Sequence, residues 1–124
     1  MRCEAVHLRS GTEIETDAPV DNKGKGERFS PTDLLAVSLA TCILTTMGIA
    51  ANTHNIDIKG TTCELEKIMV PDPRRVGELK VRVAFPQGKG YSEKEKAMLE
   101  RAAHTCPVAR SLHPDVIQSL SFSW

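Results

Sequence analysis

Four cysteines, at positions 3, 42, 63 and 106, are the residues of this 124-residue chain best suited to chemistry. A thiolate is a nucleophile, a metal ligand and one half of a disulfide. No two of the four are spaced for a C-x-x-C redox motif or a zinc knuckle. Cys3 and Cys63 fall in strand patterns and read as small core or surface residues. Cys42 lies in the middle of an apolar segment, flanked by Thr41 and Thr45. On residue type alone it is equally well an inert buried cysteine. Cys106 carries the stronger local signal because Pro107 follows it. If Pro107 opens a helix, Cys106 is its N-cap, where free N–H groups and the helix dipole stabilise a thiolate. His104 and Arg110 stand nearby as cationic or hydrogen-bonding groups. Local sequence therefore makes Cys106 the better thiolate of the two.

Other constellations are weaker. His104 and Cys106 would supply two metal ligands, but His7, His54 and His113 show no ligand spacing, so no metal is expected. Gly24-Lys25-Gly26 begins like a G-x-G-x-x-G loop but lacks the third glycine and precedes no βαβ unit. No nucleotide or other cofactor is expected. Lys23, Lys25 and Arg28 read as a solvated basic loop, and Arg74-Arg75 as a hairpin tip. Glu27 and Arg28 are kept as candidates because they precede the helix that carries Cys42.

The elements that must position the cysteines follow from patterning. Arg2–Thr16 reads as two short strands around a turn at Ser10-Gly11, and residues 17–26 as a loop. Ser30 caps a helix that Pro31 opens, with Asp33 at the positive end of its dipole. That helix should run to about Asn52. It has no charged residue after Asp33, and a helix apolar all round must be wrapped by protein. One small sheet cannot surround it, so a second subunit is the natural cover. Residues 56–70 read as a long strand. Residues 78–85 read as another, with Leu79, Val81, Val83 and Phe85 alternating with Glu78, Lys80, Arg82 and Ala84. Ser92 and Glu95 form a capping box that opens a second helix to about His104. A short helix from Pro107 and a last strand, 117–124, complete the order ββ–α–ββ–α–α–β. Short turns between paired strands make an antiparallel sheet, so the class is α+β in a single domain, 1–124.

Composition excludes several functions. Sixteen basic residues balance sixteen acidic ones, and aromatics make up 4%. Neither a general attraction to nucleic acid or acidic membranes nor a base-stacking platform is expected. The apolar stretch around 34–51 is interrupted by Ser38, Thr41, Thr45, Thr46 and Gly48 and reads as a core helix, not a membrane span. The first residues carry charge and no apolar export segment, which points to the reducing cytoplasm and to free thiols.

Residues 29–42, FSPTDLLAVSLATC, followed downstream by His104-Thr105-Cys106-Pro107-Val108, resemble the OsmC/Ohr family, the osmotically inducible and organic-hydroperoxide-resistance proteins. The resemblance covers nearly the whole chain. It implies an OsmC-like fold in an intertwined homodimer, with the long central helices packed in the middle and the sites at the subunit interface. It also implies a hydroperoxide substrate and a dithiol reductant. By motif position Cys42 becomes the attacking thiol and Cys106 the resolving one that closes a disulfide. Family peroxidases add an Arg and a Glu, the Glu directly after the proline that opens the helix. Here Thr32 holds that position and Asp33 is the nearest acid. Arg28 is the nearest arginine in sequence, and Arg9 lies in the strand region. Cys42, Cys106, Asp33 and Arg28 are thus the candidate site, resembling the smaller OsmC-like branch. The alternative is a redox-sensing or small-ligand-binding dimer without efficient peroxidase turnover.

Overall fold

The computed structural model describes all residues, 1–124, and the chain divides into two compact units, Met1–Leu35 and Ala36–Trp124. The first unit is built on a hairpin. Strands β1 (Arg2–Val6) and β2 (Glu13–Asp17) pair antiparallel, with Arg2 opposite Asp17 and Cys3 opposite Thr16. The turn is closed by His7, whose carbonyl accepts the Gly11 N–H at 2.8 Å. Arg2 then ties the open end together. Its Nε and Nη2 donate to both oxygens of the buried Asp17 carboxylate, at 2.9 and 3.0 Å, and Nη2 also reaches Glu27 at 2.9 Å. Such a forked pair holds the Asp17 carboxyl down at about 2. The loop after β2 contains one 3-10 turn at Val20–Asn22.

Helix α1 (Pro31–Thr53) starts in this unit and continues through the second. Its first turn has a reciprocal cap: Ser30 Oγ accepts the Asp33 N–H at 3.1 Å, and Asp33 Oδ2 accepts the Ser30 N–H at 2.8 Å. At the far end Asn55 is in the left-handed region (φ 55°), and the Ile56 N–H bonds back to the Ala51 carbonyl at 2.9 Å. That is the Schellman ending, which asparagine tolerates better than most residues.

The helix ending corrects the sequence-based strand. Residues 56–61 reverse the chain after α1, with Gly60 at φ 90°, and β3 begins only at Thr62, running to Val70. It pairs antiparallel with β4 (Arg75–Ala84), and a register shift falls between Ile68 and Met69. Close to that irregularity a Cβ on Gly77 would stand 2.5 Å from Val70 Cγ1, so any larger residue there would require the Val70 side chain to move.

A second correction concerns the sheet. Strand β5 (Ile117–Ser123) joins the other edge of β4 in parallel, giving the order β3-β4-β5 and a mixed sheet where an antiparallel one was expected. The residues between β4 and β5 hold two helices, α2 (Glu93–Ala103) and α3 (Pro107–Ser111), long enough a crossover to return the chain in the same direction. The expected element order holds, and the class is α+β.

The core of the second unit is a single cluster. It takes Ala36, Leu39, Ala40, Ile43, Met47 and Ala51 from α1, Val76, Leu79, Val81 and Val83 from β4, and Leu99 and Ala103 from α2. Central β4 buries every alternate side chain, as its sequence pattern requires. At one end Phe85 stacks on Trp124 with centroids 4.0 Å apart, and Tyr91 meets both rings edge-on. By length and composition α1 could cross a membrane. Its packed face, with Leu39 1% and Met47 0% exposed, makes it a core helix.

That packing covers one face only. Thr41, Thr45 and Ile49 on the opposite side are exposed, Ile49 to 62%. The threonine hydroxyls are turned inward along the helix: Thr41 donates to the Val37 carbonyl and Thr45 to the Thr41 carbonyl, each at 2.8 Å. Back-bonding of this kind leaves methyl groups outward. The open face is therefore less polar than its sequence suggests.

Candidate functional site: a thiol pair between α1 and α3

Cys42 and Cys106 are brought together although 64 positions separate them in sequence. Their side chains interact, the Cys42 thiol helping to push that of Cys106 up; Cys106 belongs to the core cluster and Cys42 packs against it. All four cysteines are free thiols. Helix α1 explains the placing of Cys42. At 100° per residue it falls between the packed face centred on Ile43 and the open face of Thr45 and Ile49. It is accordingly half-buried. Cys106 is fully buried and is the N-cap of α3, as Pro107 foretold; its Sγ accepts the Ala109 N–H at 3.5 Å.

The electrostatic expectation for Cys106 is reversed. Burial comes first and pushes its thiol up, the hydrogen bond to Cys42 adds to this, and the amides of Ala109 and Val108 only partly oppose it. Desolvating a thiolate in a closed core outweighs what two peptide N–H groups at the start of a five-residue helix return. Cys106 therefore keeps its proton at neutral pH, and Cys42, half-buried at the edge of the core, is the one open to a reagent.

A hollow of about 180 Å³ is lined by chain neighbours of the two cysteines, though by neither cysteine itself. Leu39, Ile43, Val81 and Leu120 line it with apolar surface, and His104 and Arg110 line it too. Leu39 and Ile43 neighbour Cys42 on α1, and Ala109 is the residue whose N–H bonds Cys106. Sequence reasoning named Arg110 as a neighbour of Cys106, and His104 as a neighbour and a possible metal ligand. Nothing in the sequence signalled that Leu120 of β5 would close the same hollow, since the parallel placing of β5 brings it there.

The other two candidates lie in the first unit, each with a partner. Arg28 Nε donates to Glu15 at 2.7 Å and Nη1 to the Glu27 carbonyl at 2.9 Å. Asp33 serves the α1 cap. Cys3 is exposed on β1. Cys63 is half-buried on β3, with its thiol pushed up by burial. No group of three or more His, Cys, Asp or Glu converges as a metal site would require.

A long apolar helix packed on a three-stranded sheet, with one thiol on the helix and a second capping a short helix behind it, defines a class: α+β proteins with a paired-cysteine site. Residues 24–119 match the model of the OsmC-like protein family, and the chain belongs to that family. It is 52% identical to a Psychrobacter arcticus protein named for osmotic stress and detoxification response, with TM-score 0.93 over 98% of this chain and 88% of that one. It shares its fold with the organic hydroperoxide resistance protein OsmC of Legionella pneumophila (20% identity, TM-score 0.71, 100% of this chain and 97% of that one). The same holds for an organic hydroperoxide resistance protein from Elizabethkingia anophelis (16%, TM-score 0.74, 98% and 93%). No curated protein matches the chain.

Proposed function

We propose that the protein is a thiol-dependent hydroperoxide reductase that works as a homodimer. The observation that carries this reading is the interacting pair of Cys42 and Cys106, one half-buried and the other closed in the core. The Cys42 thiolate attacks the terminal peroxide oxygen, the O–O bond breaks, and the alcohol leaves with a proton from the site. Cys42 is thereby oxidised by two electrons to a sulfenic acid. Cys106 displaces hydroxide from that sulfur, giving a disulfide and water. An external dithiol returns both cysteines to thiols by exchange. The names of the Legionella and Elizabethkingia proteins support hydroperoxide as the substrate class. A reducing compartment such as the cytoplasm suits the resting thiols.

The homodimer is supported by surface that this chain leaves uncovered. The open face of α1 carries Ile49, and the hairpin of the first unit exposes Val6 and Ile14. A second copy is the cover that the family resemblance implies.

The test is peroxide consumption with a dithiol reductant. Wild type turns over and Cys42→Ser does not; equal rates for the two would refute the reading. A second reading, a redox-sensing dimer with slow turnover, draws on Thr32 at the position of the family acid and on the commitment of Arg28 to Glu15. It predicts that stoichiometric peroxide forms the Cys42–Cys106 disulfide while catalytic consumption stays near background.

A further inference from the structure

We propose that the hollow beside α3 is a binding site for a small apolar carboxylate, whose body fills the hollow and whose charge pairs with Arg110. The hollow is separate from the thiol pair, since neither cysteine lines it. Its apolar walls come from Leu39 and Ile43 of α1, Val81 of β4, Leu120 of β5 and Ala103 at the end of α2. Leu39, Ile43, Val81 and Ala103 are none of them more than 3% exposed, so most of this lining is held in place by the core.

Small residues leave the space open. Where the end of α2 and the turn of α3 meet the sheet, the chain places Ala103 and Ala109, and neither side chain reaches far enough to close the gap. The volume, about 180 Å³, is a little above that of an apolar core cavity of about 150 Å³ that takes up benzene. It suits one six-membered ring or a branched chain of about six carbons, and nothing much larger.

The polar lining sets the charge of the ligand. Gln118 Nε2 already donates to the Ala109 carbonyl at 2.9 Å, and the Ser119 hydroxyl donates to Glu78 at 2.7 Å. The Arg110 guanidinium and the His104 ring, both on exposed residues, enter no hydrogen bond or ion pair within the chain. No acidic residue lines the hollow, and Glu78 is not part of its wall. A carboxylate at the opening therefore meets a guanidinium suited to a forked pair, with His104 as a further donor and no acid competing. A neutral molecule of the same shape would fill the apolar walls and leave the guanidinium unused.

Benzoate is the probe, with one ring and one carboxylate. Its binding to the full chain is followed by isothermal titration calorimetry up to about 10 mM, a range suited to so small a ligand. Benzamide has the same shape without the charge and should bind about tenfold more weakly. Arg110→Gln should bring benzoate down to the level of benzamide. Ala109→Leu fills the hollow and should abolish binding of both, with circular dichroism confirming that each variant is folded. Cys42→Ser should bind benzoate as the wild type does. No peroxide is used, so the outcome is separate from that of the reductase reading. Absence of benzoate binding would overturn the proposal, as would an Arg110→Gln or a folded Ala109→Leu variant that binds benzoate undiminished. Loss of binding in Cys42→Ser would also overturn it, because benzoate would then sit at the thiols.

Discussion

Cys42 and Cys106 carry the same functional group, and their surroundings assign them different work. In Cys106→Ser the sulfenic acid on Cys42 should accumulate after one equivalent of peroxide, where wild type passes on to the disulfide. Trapping with dimedone and mass spectrometry reads this directly. The raised Cys106 thiol also sets a pH dependence. A thiol whose folded value lies above its ordinary 9.0 stabilises the fold fully below that value, and the contribution is lost as pH rises through the folded value. Unfolding free energies of Cys106→Ser and wild type should therefore converge as pH is taken upward from 9, measured by urea titration. A constant difference at all pH values would show that the thiol's ionisation is not linked to folding.

Among the elements, the hairpin of the first unit depends on one buried charge. Asp17 is 3% exposed and bonded by both nitrogens of the Arg2 fork. Its carboxyl lies near 2 against an ordinary 3.8, so its stabilisation is complete above about 4 and lost as pH falls through the folded value. Acid titration followed by proton exchange of the β1–β2 amides should show the hairpin opening between about pH 4 and 2. Asp17→Asn should remove that pH step and weaken the hairpin already at neutral pH. An unchanged acid profile in Asp17→Asn would count against Asp17 as the linked group. Helix α1 depends instead on backbone chemistry: a Ser30–Asp33 cap at one end and Asn55 at the other delimit a helix with little charge of its own.

For the full chain, the open face of α1 is the feature that asks for a partner. Threonines that hide their hydroxyls in the helix, beside an isoleucine exposed to 62%, make a surface with little reason to stay in water. Sedimentation of the wild type at micromolar concentration should give a dimer. Ile49→Glu places a charge on that face and should shift the population toward monomer, with unchanged helix content by circular dichroism. A dimer of undiminished affinity in Ile49→Glu would locate the interface elsewhere.

Patterning carried the element order, the Ser92–Glu95 capping box, Ser30 as the cap of α1, the position of α1 and the role of Pro107 in placing Cys106 at a helix start. These are local properties, set by side-chain periodicity and by which backbone groups a nearby residue can satisfy. The two cysteines could be nominated from the motif, and the resemblance paired them. Three things required the folded chain. The direction of β5 depends on how a two-helix crossover packs, and no residue within the strand encodes it. The end of the strand expected over 56–70 gave way to the turn that follows Asn55. The shift expected for the Cys106 thiol reversed because burial, which no local pattern reports, outweighs the helix start there.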